Sequence, residues 1–430
     1  MKTERALGIP PSARRLSESL RDVGYSLESA IADLVDNSIM AGARHVDIDV
    51  VFNGRDSLIR ISDDGAGMDS DSLNEAMRFG SRREYGEGDL GRYGLGLKTA
   101  SLSQCRRIEV YAKTETTGLE ARALDLDYIN ATDDWLIYDI SDRADAAQSD
   151  FSSGAPHGTT VIWKRLDRIL PAKSPEGGWA RRRIERIPEK LGPYLSMVFH
   201  RFLSGEAYRP LSIRINGESL DPWDPFARNE PNTIELLSNE FEIEKKIGTG
   251  QVELKRFLLP TRDQFSSSDA YERASGLDKW NRQQGLYIYR ADRLVQWSGW
   301  AGIRTTDEHT KFARASLDFD TDLDETFNIN VAKMRVTIPA ELRKMIARPI
   351  NELCMQADAT YRRSQSNSAP ESAESQLPMP YSNAAPETGE SIGLSLRTAA
   401  ARTGDLEALS RMMSLIKKEL PELSSFLGFD

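Results

Sequence analysis

The sequence predicts an α+β protein of two folded parts and a helical tail, and three observations carry that reading. Leu27, Ala30, Ile31, Leu34, Val35 and Ile39 recur at helical spacing, between Ser26 as an N-cap and Gly42 as a stop. Two runs of alternating apolar residues follow at 44–52 and 57–62, separated by Asn53-Gly54, a hairpin signal. The second half repeats the mixture, with a helix over 181–202, strands at 211–215 and 251–259, a strand pair at 284–295 and a long helix from 339 to about 361.

The helix of the first half carries Asp33, Asp36 and Asn37 on its other face. Asp33 and Asn37 are four apart, so both side chains point into one space. Magnesium commonly takes only one or two protein oxygens beside phosphates and water, so an Asn carbonyl suffices, and a carboxylate one turn earlier can orient an attacking water. The same pattern also describes an ordinary solvated helix face. After the second strand comes Asp63-Asp64-Gly65-Ala66-Gly67-Met68. With no Cβ at Gly65 and Gly67 a flat base can lie against the backbone, and Asp63 can accept the exocyclic amine of adenine. The third stretch is Gly91-Arg92-Tyr93-Gly94-Leu95-Gly96, ahead of a helix at 97–104. It is not a Walker A loop, because Leu97 intervenes before Lys98-Thr99, and its glycine order is not that of a dinucleotide fingerprint. A mobile glycine lid remains, feeding a helix N-terminus whose amides favour phosphate, with Lys98 adding a point charge. Together the three stretches read as an ATP site.

In order and separation these motifs resemble those of the GHKL ATPases, the superfamily of DNA gyrase B subunits, Hsp-type chaperones, sensor histidine kinases and MutL. A fourth, His157-Gly158-Thr159-Thr160-Val161, stands where the family has a Gly-Thr before a strand. The resemblance implies the GHKL (Bergerat) ATP-binding α/β sandwich, helices on a mixed sheet with ATP beneath a lid. It also implies Asp33 as general base, Asn37 as magnesium ligand, and Asp63 and Thr159 as adenine-side contacts. Asp36, Gly65, Gly67, Met68, Gly91, Gly94, Leu95, Gly96, Lys98 and Thr99 complete the expected nucleotide set, with ATP and Mg2+ as cofactors. Two departures point to slow hydrolysis: the family base is usually Glu, and the acid usually found three after the Asn is Met40 here. Farther on, 284–290 with Arg293-Leu294-Val295 resembles the transducer domain of MutL and especially MORC ATPases. The run Asn328-Ile329-Asn330-Val331-Ala332-Lys333 is similar to the MutL segment whose lysine reaches the terminal phosphate, making Lys333 a second catalytic candidate.

The expected division is an ATP-binding domain at 1–172, a transducer-like α/β domain at 173–350, a helix end at 351–363, a disordered linker at 364–391 and a helical tail at 392–430. The linker is rich in Ser, Pro, Glu and Ala, and the tail carries an apolar stripe, Leu406, Leu409, Met412, Met413 and Ile416, that calls for a protein partner or a place on this chain. A length of 430 residues, 39% apolar and 28% charged, suits a soluble protein of two or three domains. Two cysteines, Cys105 and Cys354, give no disulfide framework, and no secretory leader or membrane-length apolar run occurs, so a cytoplasmic location is expected. The net charge of −10 argues against coating nucleic acid non-specifically, which leaves local basic clusters such as Arg181, Arg182, Arg183, Arg186 and Lys190. Three functions compete. An ATP-gated homodimer of MORC or MutL type, closing on DNA or a protein partner in a DNA-associated or defence role, leads; a chaperone-like or scaffold ATPase without nucleic acid is the alternative. A sensor kinase is set aside because too little chain precedes Asp33 for a phosphoacceptor hairpin.

Overall fold

Apolar alternation in the first half builds an eight-stranded mixed sheet in the computed structural model, which describes residues 11–22, 24–80, 96–143, 151–171, 173–246, 248–329, 336–367, 406–419 and 424. Two compact units divide the chain at 368/369. In order, the first region comprises α1 (Ala13–Arg21), α2 (Leu27–Met40), β1 (His45–Val51), β2 (Leu58–Asp63), α3 (Ser70–Met77), α4 (Gly96–Leu102), β3 (Arg107–Lys113), β4 (Glu120–Asp125), α5 (Leu126–Thr132), β5 (Tyr138–Asp139) and β6 (Gly158–Lys164). It continues with α6 (Gly178–Glu185), α7 (Ile187–Val198), α8 (His200–Leu203), β7 (Ser212–Ile215) and β8 (Glu218–Ser219). The strand order is β5-β4-β3-β6-β2-β1-β7-β8, antiparallel except where β1 and β7 run parallel. Val46, Ile48 and Val50 point from β1 into a core shared with Ile31 and Val35 of α2 and Leu191 and Leu195 of α7. The alternate residues of β1 are polar, and Asp47 there forms a bidentate ion pair with Arg214 of β7.

The expected hairpin is present, but its strands are joined through a 3₁₀ turn at Gly54–Asp56 rather than by a two-residue turn. Ser57 holds that turn by accepting from the Asn53 amide and donating to the Gly54 carbonyl. The helix expected at 181–202 is three helices, bent at Arg186 and Phe199, with a proline in the first turn of α7. The division at 172/173 does not mark the edge of the first core. Residues through Leu220 belong to it, because β7 and β8 extend the first sheet and α6 to α8 cover it.

The second sheet is built by β9 (Ile234–Glu244), β10 (Thr249–Leu258), then, beyond α9 (Ser268–Ala274) and α10 (Lys279–Gln283), β11 (Gly285–Arg290), β12 (Arg293–Gln296) and β13 (Ala313–Phe319), in the order β12-β11-β13-β10-β9. Helix α11 (Ala340–Asn367) lays Leu342, Ile346, Ile350 and Leu353 on that core and runs past its expected end near 361. The expected linker beyond 367 lies outside the described residues. In the second unit, α12 (Leu406–Glu419) is the expected tail helix. Among the described residues, no helix is long and apolar enough to cross a membrane.

The two cores of the first unit meet along α2, α7 and α8. His200 Nε2 and Tyr289 Oη stand 2.8 Å apart, Arg201 pairs with Asp318 and lies 3.7 Å over the Tyr289 ring, and Tyr194 packs edge-on against Trp297. Ile48→Ala, which opens a cavity in the central strand, is expected to lower stability by about 2–5 kcal/mol in urea unfolding, while Val51→Ala at the exposed end of the same strand stays within about 0.5 kcal/mol. Equal losses at the two positions would contradict this placement of the core.

Candidate functional site

Helix α2 folds as its sequence dictates. Ser26 caps it by accepting from the Ser29 amide, and Gly42, at φ +78°, follows its last turn. Its polar face, however, is not a solvated one: Asp33 and Asp36 are 2% and 0% exposed, whereas Asn37 opens to solvent. Each buried carboxylate has its own partner. The Tyr25 hydroxyl donates to Asp33 Oδ2 at 2.7 Å, and burial, reinforced by the Asp33 charge, pushes that phenol well above its ordinary pKa. Gly96, the first residue of α4, lies beside the same carboxylate; a Cβ there would stand 3.2 Å from Asp33 Oδ2. Asp36 takes the Nε of Arg293, from β12, at 2.8 and 2.9 Å from its two oxygens. Burial, the largest influence, opposes the Arg293 charge, but Asp36, Tyr194 and Asp33 together outweigh it and keep the guanidinium protonated. Asp36, expected among the nucleotide contacts, therefore faces the second core.

Asp63 ends β2, where the register sets it opposite Thr159 of β6. Its Oδ1 accepts from the amides of Gly65 (3.0 Å) and Thr159 (3.2 Å), and its Oδ2 accepts from the Ser38 hydroxyl (2.8 Å). One carboxylate thus ties together α2, the glycine turn and β6. Burial is the largest influence on it and pushes its pKa up to about 6. The turn is built for close backbone approach: Gly67 adopts φ +68°, and a Cβ there would fall 1.9 Å from the Lys113 carbonyl oxygen. Gly158 is equally constrained, since its Cβ would meet the Asp63 carbonyl at 2.0 Å. The Gly65 carbonyl stands 2.8 Å from His157 Nδ1, and Met68 is partly buried against the first core.

Lys98, expected to add a charge for phosphate, is buried at the start of α4. It is 1% exposed, its ammonium donates to the Ala76 carbonyl of α3 at 2.8 Å, and burial pulls its pKa down to about 8, with Glu75 opposing. Thr99 is buried beside Tyr25. Gly91, Gly94, Leu95 and Lys333 lie outside the described residues. Tyr25, Ser38 and Arg293 were not assigned to the site from sequence. Ser38, directly after Asn37, offers a hydroxyl donor, but its acceptor Asp63 lies 25 residues on, so sequence spacing does not pair them.

Residues 25–159 match the family model described as histidine kinase-, DNA gyrase B-, and HSP90-like ATPase. This module belongs to the GHKL superfamily. MORC and MutL proteins are among its relatives. Protein MICRORCHIDIA 6 of Arabidopsis thaliana is 35% identical over 89 residues, covering 20% of this chain and 13% of the relative. The DNA mismatch repair protein MutL of Dictyoglomus turgidum is 36% identical over 95 residues, 20% of this chain and 16% of the relative. MutL of Methanothrix thermoacetophila is 26% identical over 204 residues, 46% of this chain and 33% of the relative. The matched stretch thus spans a third or less of each of these relatives. The stretch matched by the family model, 25–159, contains Asp33, Asn37, Asp63 and Thr159.

The GHKL module's donor set suits adenine and magnesium. Asp63 is a buried acid at the Gly65-Gly67 turn, whose glycines let Ala41 and Lys113 pack close, and the open Asn37 carries a neutral oxygen of the kind magnesium takes beside phosphates. Among the described residues, no group of three or more His, Cys, Asp or Glu forms a separate metal cluster. Because the folded pKa of Asp63 is raised, protonating it favours the empty folded state. That contribution is full below about pH 4 and is lost as pH rises through about 6. An adenine amine donating to Asp63 would have the opposite sign, since it requires the carboxylate. ATP affinity measured by calorimetry should therefore fall as pH drops below about 6, whereas Asp63→Asn should bind weakly at every pH with a flat profile. Tight binding by that variant would overturn the assignment of Asp63.

Proposed function

We propose that this protein is a magnesium-dependent, slowly hydrolysing ATPase that works as an ATP-gated dimerising switch, in a DNA-associated or defence role. The observation that carries the gating is the Asp36–Arg293 pair, which bonds the helix of the nucleotide site to a strand of the second core. In this reading Asp63, with Thr159 and the Gly65-Gly67 turn, holds adenine, and Met68 lines the base side. Asn37 offers its oxygen to Mg2+, which when bound neutralises phosphate charge. Asp33, steadied by Tyr25, orients the attacking water. As aspartate rather than glutamate it reaches one methylene less far, which suits slow turnover. Gly91, Gly94, Leu95 and Gly96 form the lid, and Lys333 meets the terminal phosphate from the second domain. A lysine that gains a partner only when that phosphate is present rewards closure in the ATP state alone. Closure presents the N-terminal region around Leu16 and Leu20 to a second copy. The relatives' names support a DNA-associated role, as do the local basic clusters in an otherwise acidic chain.

Asp33→Asn is expected to keep ATP binding in calorimetry while abolishing phosphate release, and Lys333→Ala to bind nearly normally yet turn over poorly. Light scattering should find a monomer or loose dimer with ADP and a compact dimer with a non-hydrolysable ATP analogue. The same mass and shape in both states would favour an ungated scaffold.

A further inference from the structure

On the face of the first domain where α6 and α7 meet the start of α2, a groove of about 510 Å³ is lined by Arg168, Arg182, Arg183, Arg186, Lys190 and Trp179. We infer that this groove binds a single strand of nucleic acid, its phosphates on the cationic row and a base on Trp179. The proposal deepens the nucleic-acid part of the function proposed above and rests on it.

Arg182, Arg186 and Lys190 recur every fourth residue across the α6/α7 junction. The Arg186 amide still bonds back to the Arg182 carbonyl there, so the three share one face, about 6 Å apart along the axis. A row of cations fits a linear polyanion better than a single phosphate. All three side chains are exposed; of the other cations, Arg168 in the lining pairs with Asp22 and Arg181 nearby pairs with Glu185. Glu28 is the one carboxylate in the lining, so the groove is strongly positive on a chain of net charge −10. Such a local field on an acidic protein directs a polyanion to one place and repels it elsewhere.

Trp179 favours a single strand over a duplex. It is 54% exposed, and the Arg183 guanidinium lies 5.2 Å from its ring centroid. An exposed indole beside a cationic track is a stacking platform for an unpaired base, which a duplex does not offer. The groove also touches the nucleotide site. Gln104 in its wall donates to the Tyr25 carbonyl at 3.4 Å, and Tyr25 in turn holds Asp33. Leu27 and Glu28 in the lining are the first turn of α2.

The test is fluorescence anisotropy of the full chain with a labelled oligothymidine, across a salt series. The wild type should bind with a salt dependence that weakens by a slope of about 2 in Arg182→Ala/Arg186→Ala/Lys190→Ala, at about 0.7 per cation removed. Trp179→Ala should bind about tenfold more weakly with an unchanged slope. Calorimetry should find ATP affinity intact in both variants, which also shows that they fold. Wild-type affinity and slope in the triple variant would overturn the groove while leaving a nucleic-acid role elsewhere. Equal binding of a duplex, with Trp179→Ala without effect, would overturn the single strand. No binding by the wild type to either would remove the nucleic-acid reading itself.

Discussion

The ion pair between Asp36 and Arg293 constrains everything around it. Its partners lie 257 residues apart, on a helix of the nucleotide module and a strand of the second sheet, and both are almost wholly buried. A buried charge left without its partner is strongly destabilising, by about 3–5 kcal/mol, whereas the intact pair adds little over an apolar contact. Its consequence is therefore register more than stability. Helix α2 and strand β12 have one relative position in which both charges are satisfied. Arg293 also packs beside Phe199, at the bend between α7 and α8.

Helix α2 divides its polar face among several neighbours. Asp33 goes to Tyr25, Asp36 to the second core, Ser38 to Asp63, and Asn37 to the open side. These three attachments tie one helix to Tyr25, to the second core and to Asp63, which is the physical basis for the coupling proposed above. Asp63 has a similar economy: three donors, from α2, the glycine turn and β6, converge on one carboxylate at the end of β2 and join these elements.

Much of this was legible locally. The period of α2, the alternation of β1 and β2 and the strand-end Asp63 are properties of neighbouring residues, and they fold as read. Partners distant in sequence were not legible. Nothing in 211–215 signals that it runs parallel to β1, because an alternating strand does not name its neighbour; as a result the first core extends through Leu220 rather than stopping at 172. Asp36 reads as a nucleotide contact because it sits between Asp33 and Asn37, and only the fold brings Arg293 to it. Lys98 reads as a phosphate charge at a helix start, and its burial and its bond to the Ala76 carbonyl are set by the fold, not by its neighbours in sequence.

Coupling between the nucleotide site and the second domain is the central claim, and hydrogen exchange with and without a non-hydrolysable ATP analogue tests it most directly. Analogue binding should slow amide exchange in residues 25–159 and also in β11 and β12, and in Arg293→Met the second effect should vanish while the first remains. Protection confined to residues 25–159 in the wild type would contradict the coupling.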